Sequence, residues 1–559
     1  MSYILKQKTK SGRIQINLAS SVYRPGNTPG QDRTYLGILE NEASNELLKN
    51  RKLKKIPPEA ISLLKEYNIV YKGKLAPRPG RVPKPKHITM DACTTLEVGR
   101  VEVLQRMATE SGLSRVLKNA FGEEVGREVL AVSTYLCCEG KALYLAGDWA
   151  SDTILGEQKL SLSSSTLSKL CSDLGANESA RNDFFRHWIK QNKYPRALVH
   201  DTTSISRYSE KISAVEWGYN RDREQLPQVN FGLVYARKTQ LPLFYRLIPG
   251  SVTDVVTLTT TSAMLRELGL TSFSYSLDRG YYSTANLLDL IKNKLDFNIG
   301  FPIDRGGREL LNGHRRELDS AKSLIGGKDF AIHHVETEHI IYGSDRRNKH
   351  TLYAHIYRSE NERARLTTEL NVLLNDIIRS FDSKHFSSLS SAEKWCEENL
   401  KGHEGLLQLT GRTAGHLKLE IAEKKFAEIA RDLGTFMILT SQKTDGIEAL
   451  LVNKKRDSAE KIFDTLKNSV GDGRLHGCSD ENISGRLFLA FVATILHSLL
   501  EKRLRDKQLL TTKFTVLETL SMLKKIKVTV CKDGTRIPNE IPKRVQDLLA
   551  ELDIELKQM

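Results

Sequence analysis

The chain contains the stretch Asn453-Lys-Lys-Arg456-Asp-Ser-Ala-Glu460-Lys-Ile-Phe-Asp-Thr-Leu-Lys467, in which polar and apolar residues recur at helical spacing. Each residue of an α-helix advances about 100° around the axis. If Arg456 is placed at 0°, three other polar residues lie within roughly 60° of it, namely Asn453, Glu460 and Lys467. The apolar residues lie on an adjoining face, roughly between 240° and 340°. The stretch therefore predicts one amphipathic helix with Asn453, Arg456, Glu460 and Lys467 on a narrow polar stripe.

This polar stripe has two interpretations. A carboxylate that lies between two cations suits a site that holds both a metal ion and phosphate groups. The same residues are also typical of a solvated helix face, on which Arg456 and Glu460 would form an ordinary i, i+4 ion pair. The stretch alone leaves both interpretations open, so the rest of the chain has to distinguish them.

The charge of the chain favours a polyanionic partner. Its 559 residues include 84 Lys and Arg but only 68 Asp and Glu, which gives a formal net charge of +16. Contents of 40% hydrophobic and 27% charged residues are ordinary for a soluble globular protein. The length allows roughly three or four domains. Because nucleic-acid enzymes, ribosomal proteins and membrane-surface proteins are all basic, the charge indicates a class of partner and no reaction.

The cysteines and the apolar runs indicate where in the cell the protein works. Seven cysteines are scattered along the chain without a C-x-x-C pair, which argues against a disulfide framework and against a structural zinc site. The N-terminus lacks the pattern of a signal peptide. The longest apolar run, residues 487–500, is too short to span a bilayer and predicts a buried core helix. We therefore expect a cytoplasmic, nucleoid-associated protein without a membrane partner.

Three segments precede residue 195. Residues 1–48 alternate polar and apolar residues and predict a small β-rich unit. Residues 49–92 are basic and rich in proline, which predicts a solvated linker, although the same charges also suit DNA phosphates. Residues 93–194 predict a helical DNA-binding region. Within it, residues 163–174 have a capped amphipathic pattern, typical either of a DNA-reading helix or of a helix that only packs.

The following segments predict an α/β core that an insertion interrupts. Residues 195–302 alternate strand and helix patterns, and two of their strands end in Asp201 and Asp278. Residues 303–430 break this rhythm and predict an α+β insertion. Residues 431–505 return to the core with the Glu460 helix, and residues 506–559 form a mixed tail. Within the insertion, we expect strands at 330–336, 339–342 and 351–357 and helices at 363–381 and 417–433.

Three carboxylates stand out in this arrangement, namely Asp201, Asp278 and Glu460. Acids at strand ends often only cap turns or helices, so each of them is weak evidence by itself. Phosphoryl transfer with two metal ions needs such a set, because two divalent cations roughly 3.5–4 Å apart require acidic oxygen ligands. Rigid strands and a helix would hold these ligands in place.

The motifs around these acids resemble those of a known family. The chain is similar to DDE transposases of bacterial insertion sequences, in the branch with the signature Tyr-x2-Arg-x3-Glu-x6-Lys. Arg456, Glu460 and Lys467 keep that spacing, while Asn453 stands where the family has tyrosine. The other segments that carry the resemblance, in family order, are His200-Asp-Thr-Thr-Ser, Gly218-Tyr-Asn-Arg-Asp-Arg, Leu226-Pro-Gln-Val-Asn-Phe-Gly-Leu-Val, Leu243-Phe-Tyr-Arg-Leu-Ile-Pro-Gly-Ser-Val-Thr-Asp, Leu277-Asp-Arg-Gly-Tyr-Tyr-Ser-Thr-Ala-Asn-Leu and Val470-Gly-Asp-Gly-Arg-Leu-His.

The resemblance implies a ribonuclease-H-like catalytic core with a large insertion before the glutamate helix. It implies that Asp201, Asp278 and Glu460 are the catalytic residues and the ligands of two Mg²⁺ ions, with Mn²⁺ possible in their place. The enzyme would bind the ends of an insertion sequence, cleave them by metal-dependent hydrolysis and join the freed 3′-hydroxyls to target DNA. By resemblance, we expect a homodimer on paired transposon ends.

The resemblance also implies contacts to DNA. Arg456 and Lys467 would contact phosphates near the cut, and Asn453 and Arg474 are further predicted DNA contacts. Trp217 and Tyr219 are predicted to stack on an unpaired base, although a core position is the alternative for Trp217. Two other functions remain as alternatives, namely a transposase-derived DNA-binding protein without catalysis and a ribonuclease-H-like nuclease without strand transfer. Metal-dependent cleavage and the joining of ends to a plasmid would distinguish them.

Overall fold

The structure is a computed structural model of the chain, which divides into two units, Met1–Ala92 and Cys93–Met559. The residues that the structure describes are 2–9, 12–22, 30–76, 93–158, 160–207, 215–218, 220, 224–327, 330–343, 345, 347–411, 416–469, 476–477, 479–510 and 512–556.

The first unit, in its described part, is an antiparallel sheet with one helix against it. Its elements are β1 (Ser2–Lys8), β2 (Ile14–Val22), β3 (Gly30–Leu39), β4 (Leu48–Lys49) and α1 (Pro58–Glu66), and the strands pair in the order β1-β2-β3-β4. Helix α1 begins at a proline, whose missing N–H needs no partner in the first turn. Ile16, Leu36 and Leu64 are buried in a small core that the sheet and the helix share.

Residues 49–92 were predicted to be a solvated linker, but residues 49–76 are folded into the first unit. Ile56 and Ile69 are buried in the core of the first unit, and an isolated bridge pairs Lys49 with Leu75. The many basic side chains hide this burial in the sequence, because the buried residues between positions 56 and 76 are four to seven positions apart. Residues 77–92 lie outside the described part of the chain.

The second unit contains the remaining elements. Its strands are β5 (Cys93–Glu97), β6 (Ala197–Ser206), β7 (Gln228–Ala236), β8 (Pro242–Pro249), β9 (Ser274–Leu277), β10 (Asp296–Phe301), β11 (Leu324–Gly327), β12 (Phe330–Tyr342), β13 (Lys349–Arg358), β14 (Leu407–Thr410), β15 (Lys418–Ile421), β16 (Thr435–Thr440), β17 (Lys527–Cys531) and β18 (Arg536–Pro538). Its helices are α2 (Gly99–Glu110), α3 (Leu113–Phe121), α4 (Glu123–Glu139), α5 (Ala146–Ser151), α6 (Ser164–Ala176), α7 (Glu178–Gln191), α8 (Asp254–Glu267), α9 (Thr284–Lys292), α10 (Arg305–Leu318), α11 (Glu360–Asp382), α12 (Leu389–Asn399), α13 (Glu423–Asp432), α14 (Gly446–Lys454), α15 (Ser458–Ser469), α16 (Asp480–Asp506), α17 (Val516–Leu523) and α18 (Lys543–Glu551).

One large mixed sheet organises the second unit. Among the described strands, nine pair in the order β11-β12-β13-β16-β10-β9-β6-β7-β8. Strands β6, β9 and β10 run parallel to one another, and the other neighbours are antiparallel. Every residue of β7 is buried, as is nearly every residue of β6, which requires that both faces of the sheet be covered. The predicted α/β fold class is confirmed.

Helix α16 is the centre of the helical part of the unit. Its residues between Leu487 and Leu496 are buried on every side, so the predicted core helix is confirmed. Helix α6 packs against it with the predicted apolar face, and Ser163 caps α6 by accepting the Thr166 N–H at 3.3 Å. A role of α6 in reading DNA stays a prediction.

By length and composition alone, helix α16 is long and apolar enough to cross a membrane. It is the one described helix with both properties, and 78% of its most apolar window is buried inside the protein. A second candidate exists if α4 and the helical segment Leu143–Ser151, which are bent by 107°, count as one span.

The insertion predicted at residues 303–430 is divided between the main sheet and a core of its own. Strand β13 pairs with β16, and through it β11 and β12 extend the central sheet. The alternating residues Leu352, Ala354 and Ile356 are buried in the main core, which explains this attachment. Helices α11 to α13 and strands β14 and β15 instead enclose a separate apolar cluster around Leu374 and Phe381.

Two element predictions inside this segment were wrong. Residues 330–336 and 339–342 belong to a single strand, β12, because pairing with β13 continues without interruption from His333 to Tyr342. Residues 417–433 were predicted as one helix, but they form β15 and then α13. The reason is the short hairpin in which β15 pairs with β14, which supplies a partner that the local pattern does not contain.

Buried histidines predict that acid weakens the fold. The imidazole of His355 is buried, and its two nitrogens lie 3.1 Å from His334 Nε2 and 3.2 Å from Thr440 Oγ1. Burial and the neighbouring His334 lower the pKa of His355 from the ordinary value of 6.5 to about 4. Between these two pH values the unfolded chain binds a proton that the folded chain does not bind. The free energy of unfolding should therefore fall as the pH drops from 6.5 toward 4.

Denaturant midpoints of the wild type and of His355→Gln at pH 7 and pH 5 would check this expectation. The variant should lose less stability than the wild type between these two conditions, whereas His385→Gln, at an exposed position, should follow the wild type. Equal losses in all three proteins would contradict the assignment of the pH effect to His355.

Candidate active site

The register of two parallel strands brings the predicted aspartates together. In the pairing of β6 with β9, His200 lies opposite Leu277, so the next residues along the two strands are Asp201 and Asp278. Neighbouring strands lie about 4.8 Å apart, and residues at the same level lie side by side. Asp201 is buried within β6, and its Oδ1 accepts the Thr202 N–H at 2.8 Å. Asp278 directly follows β9 and is partly exposed.

The turn after Asp278 is anchored to the same strand. Residues Arg279–Tyr281 form one 3-10 turn, and the Tyr281 N–H donates to the Asp278 carbonyl at 3.1 Å. The buried Tyr281 hydroxyl is 2.5 Å from Thr202 Oγ1 of β6. Gly300 of β10 touches this turn, since a Cβ at that position would lie 2.8 Å from the Arg279 nitrogen. These contacts fix the position of Asp278 along the strand direction, next to Asp201.

Glu460 reaches the same place from a different element. It lies in the first turn of α15 and is exposed. One open cavity of about 1020 Å³ is lined by Asp201, Asp278 and Glu460 together. The predicted catalytic residues, which are separated by up to 259 positions in the chain, therefore share one cavity.

The single helix predicted for residues 453–467 was wrong in its continuity. Helix α14 ends at Lys454, a 3-10 turn spans Lys455–Asp457, and α15 begins at Ser458. The break leaves carbonyl groups that need partners. The hydroxyl of Tyr235, on β7, lies 3.3 Å from the Lys455 oxygen and 3.1 Å from the Arg456 oxygen, and Ser458 Oγ also donates to the Lys455 oxygen, at 2.6 Å. Tertiary contacts thus support a break that the helical wheel does not show.

This break places Arg456 over the aspartates. Its Nη1 lies 3.7 Å from Asp201 Oδ2 and 3.7 Å from Asp278 Oδ1, so one guanidinium forms ion pairs with both carboxylates. The side chain is only 22% exposed, which weakens the screening of these charges by water. The two aspartates are therefore arranged around a shared positive charge.

The rest of the cavity wall contains residues that the sequence interpretation named and some that it did not. Asn453 and Lys467, which are predicted DNA contacts, line the cavity, and Arg279 lines it beside Asp278. Asp464 also lines it and was missed, although it lies one helical turn after Glu460, a spacing that places both acids on one face of a helix. Asp304 lines the cavity too, but its Oδ1 accepts the Gly307 N–H at 3.2 Å and so caps α10.

The remaining predicted contacts are not gathered here. Trp217 is 59% exposed and is absent from the cavity wall, so the alternative of a core position is wrong. Tyr219 and Arg474 lie outside the described residues. His200 is buried, with its ring centre 4.9 Å from that of Tyr281, which fits a packing role.

The donor atoms of the cavity suit a hard divalent cation. Carboxylate oxygens are the ligands that Mg²⁺ and Mn²⁺ prefer. Within the described part of the chain, no three His, Cys, Asp or Glu side chains lie close enough together to form a complete metal site. Asp201 and Asp278 nevertheless fit such an ion, because one cationic group, the Arg456 guanidinium, already lies near both of them. Glu460 faces the same space from α15.

No curated protein matches the chain significantly. Among solved structures, a similar chain is that of the piggyBac transposase in a synaptic complex with hairpin DNA, determined by cryo-EM. The two chains share 9% identity over 78% of this chain and 77% of that chain, with a TM-score of 0.27, which does not establish a common fold. The family model described as "Transposase DDE domain" matches residues 193–496, which is more than half of the chain. The protein therefore belongs to the transposase DDE domain family.

Proposed function

We propose that this DNA transposase is encoded by a bacterial insertion sequence of the branch with the Tyr-x2-Arg-x3-Glu-x6-Lys signature. It binds the ends of the element, cleaves phosphodiester bonds there and joins the freed 3′-hydroxyls to target DNA. The observation that carries this proposal is the register of β6 and β9, which sets Asp201 beside Asp278 in the cavity that Glu460 also lines. Strands β6 to β10 would then form the ribonuclease-H-like part of the large sheet.

The three carboxylates are the proposed ligands of two Mg²⁺ ions, or of Mn²⁺ in their place. Bound metal would supply an activated water or hydroxyl and would stabilise the leaving oxygen. The protein's own part is to hold oxygen ligands on rigid elements. Asp201 Oδ1 accepts the Thr202 N–H and Oδ2 lies on the side of Arg456, which supports Oδ2 as the proposed metal-binding atom.

The cations of the cavity give DNA phosphates a favourable approach to this acidic site. Arg456, Arg279 and Lys467 line the same wall as the carboxylates. Without them, the carboxylates would repel a phosphodiester, whereas a guanidinium can donate two parallel hydrogen bonds to it. We propose that Arg456 exchanges its aspartate contacts for a DNA phosphate, while Lys467 contacts a neighbouring phosphate.

Asn453 occupies the position of the family tyrosine. Its Nδ2 lies 3.3 Å from Asn298 Oδ1 on β10, and Asn298 Nδ2 donates to the Ala449 oxygen of α14 at 2.9 Å. This pair of amides fastens α14 to the sheet next to the cavity. We propose that Asn453 also donates to a phosphate, but it has no ring with which to stack on a base.

Three further DNA contacts remain proposals. Trp217 presents a large exposed indole, which suits stacking on an unpaired base. Tyr219 and Arg474 are proposed to contact DNA because they lie in segments that resemble motifs of the transposase family. We also propose that the enzyme acts as a homodimer on paired ends and works in the cytoplasm at the nucleoid.

A strand-transfer assay tests the proposed function. The substrate is a duplex with the terminal inverted repeat that flanks the reading frame, pre-cut to expose its 3′-hydroxyl, together with a supercoiled plasmid. With Mg²⁺, the protein should produce plasmid molecules covalently joined to the duplex. Cleavage without joining would support the nuclease alternative, and binding without cleavage would support the DNA-binding alternative.

Lys467 offers a graded test of the phosphate contacts. Replacing Lys467 with alanine should weaken binding of any duplex, since one phosphate contact is lost irrespective of sequence. The slope of log affinity against log salt should fall by about one. Fluorescence anisotropy at several salt concentrations would measure it. Lys461→Ala is the matched control, because it is exposed on the same helix and absent from the cavity wall. Equal slopes for both variants would contradict the assignment.

A further inference from the structure

Two cysteines that are far apart in the chain meet across a pair of strands. Strand β5, the first element of the second unit, pairs antiparallel with β17, and the register sets Cys93 directly opposite Cys531. The two Sγ atoms are 2.7 Å apart. The neighbouring pair on the same face, Thr95 and Thr529, is likewise in contact through its hydroxyls at 3.2 Å. The contact between the sulfurs is therefore part of a regular ladder.

The backbone geometry suits a covalent bond at this position. Residues directly opposite each other on antiparallel strands have Cα atoms about 4.5 or about 5.5 Å apart, depending on the hydrogen-bonding pattern. A disulfide spans Cα distances of about 4.4–6.8 Å. Either strand arrangement therefore lies within the range of a disulfide.

The other described cysteines have different surroundings. Cys137 is part of α4, and burial raises the pKa of its thiol to about 12. Cys171 is buried where α6 meets α16, and burial raises its pKa to about 11. The pKa of Cys531 is raised to about 11 as well, first by its hydrogen bond with Cys93. Among the described cysteines, Cys93 and Cys531 are the pair whose sulfurs touch.

We propose that Cys93 and Cys531 form a reversible disulfide that fastens the first strand of the second unit to its C-terminal hairpin. The scattered cysteines of the sequence argued against a disulfide framework, and this proposal concerns a single redox-dependent bond. The two thiols are 438 positions apart, so no local pattern in the sequence announces them.

The oxidant is a small-molecule disulfide such as glutathione disulfide. The thiolate of Cys93, which is half-buried while Cys531 is buried, attacks the disulfide and releases one glutathione thiolate. The thiolate of Cys531 then attacks the Cys93 sulfur of the mixed disulfide and releases the second glutathione. Two protein thiols thereby lose two electrons and two protons, and one glutathione disulfide becomes two glutathione thiols. Excess thiol reverses both steps.

The bond would act on the segment where the chain enters the second unit. In the described sheet β18-β17-β5, strand β5 is at the edge and Cys93 is its first residue. Besides its pairing with β17, β5 has an isolated bridge at its opposite end, between Glu97 and Thr153. Ends of edge strands open readily, because few hydrogen bonds hold them. In the oxidised protein this end is closed, so the amide hydrogens around it exchange more slowly. In the reduced protein it is free to open.

Intact mass spectrometry of the full-length protein tests the proposal. The reduced protein is treated with glutathione disulfide and denatured in acid. One part of the sample is measured intact, and the other is digested without reductant and analysed as peptides. We expect the loss of two hydrogen atoms and a cross-linked peptide that contains Cys93 and Cys531, and dithiothreitol should restore the original mass. Cys531→Ser should instead stop at a mixed disulfide with glutathione on Cys93. Cys396→Ser, the matched control, should form the cross-link like the wild type.

Hydrogen exchange gives an independent readout on folded protein. Amides of β5 and β17 should exchange several-fold more slowly in the oxidised wild type than in the reduced one, and Cys93→Ser and Cys93→Ala should show no such difference. Circular dichroism of each variant verifies that it is folded. The absence of the Cys93–Cys531 peptide from oxidised wild type would overturn the proposal, as would a cross-link that joins either residue to another cysteine.

Discussion

Replacing Asp201 with asparagine should lower the rate of Mg²⁺-dependent DNA cleavage roughly 10³-fold or more. Stabilisation by a metal ion is worth several kcal/mol, and about 1.4 kcal/mol corresponds to a factor of ten. Asparagine keeps the Oδ1 atom that accepts the Thr202 N–H, so β6 should stay folded. It removes the negative charge that faces Arg456, and with it a proposed metal ligand on the cavity wall. A gel assay with labelled transposon-end duplex, with Mg²⁺ and with Mn²⁺, would measure the loss.

Three comparisons make this result interpretable. Asp278→Asn and Glu460→Gln should lose cleavage to a similar extent, because their carboxylates line the same cavity. Asp376→Asn on α11 is the control, since its exposed carboxylate pairs only with Arg379 in the described contacts and lies apart from the cavity. All variants should still bind duplex. An Asp201→Asn protein that cleaves at the wild-type rate would refute the assigned site.

Replacing Gly485 with alanine should destabilise the second unit by about 3 kcal/mol, at the upper end of the cost of overpacking. A Cβ at Gly485 of α16 would lie 1.8 Å from the Cys171 oxygen of α6. The contact is reciprocal, because a Cβ at Gly175 of α6 would lie 1.7 Å from the Glu481 oxygen of α16. The obstacles are backbone atoms, so the two helices would have to move apart. Denaturant unfolding, followed by the helical signal of circular dichroism, would show a lower midpoint.

Gly313 supplies the matched control for this prediction. It also lies within a helix, α10, but a Cβ there would meet no atom within 4 Å. Gly313→Ala should therefore stabilise the protein by about 0.5–1 kcal/mol, because alanine restricts the unfolded chain and favours the helix. Equal effects at Gly313 and Gly485 would show that helix propensity, and not the close approach of α6 and α16, decides the outcome.

Much of the fold could be predicted from local patterns. The strand that carries Asp201 begins with three apolar residues, the short strand before Asp278 alternates serine with Tyr275 and Leu277, and the middle of α16 is almost entirely apolar. Such patterns are set by residues a few positions apart. The spacing of apolar residues over this range is enough to predict a helix or a strand. The α/β class was therefore accessible, and so were all three acids.

The errors have a common physical cause. The break between α14 and α15, the strand β15 and the folded part of residues 49–76 all depend on partners outside the segment itself. For β15 that partner is the preceding strand β14, and for the other two it lies farther away in the sequence. Tyr235 engages carbonyls 220 and 221 residues away, and its contribution does not appear in any window around Arg456. Asp464 was overlooked for a different reason, because a carboxylate on an exposed helix face is common and only the shared cavity wall gives it meaning.

The sequence was sufficient to predict the identity and order of the candidate site residues, namely two acids at strand ends and an Arg, a Glu and a Lys at helical spacing. Side-chain chemistry and local periodicity are properties of short segments, so they can be recognised without a fold. The placement of Arg456 at 3.7 Å from both aspartates, and the contact of Cys93 with Cys531, belong to the tertiary structure alone. Both depend on strand register and on a helix break, which long-range packing determines.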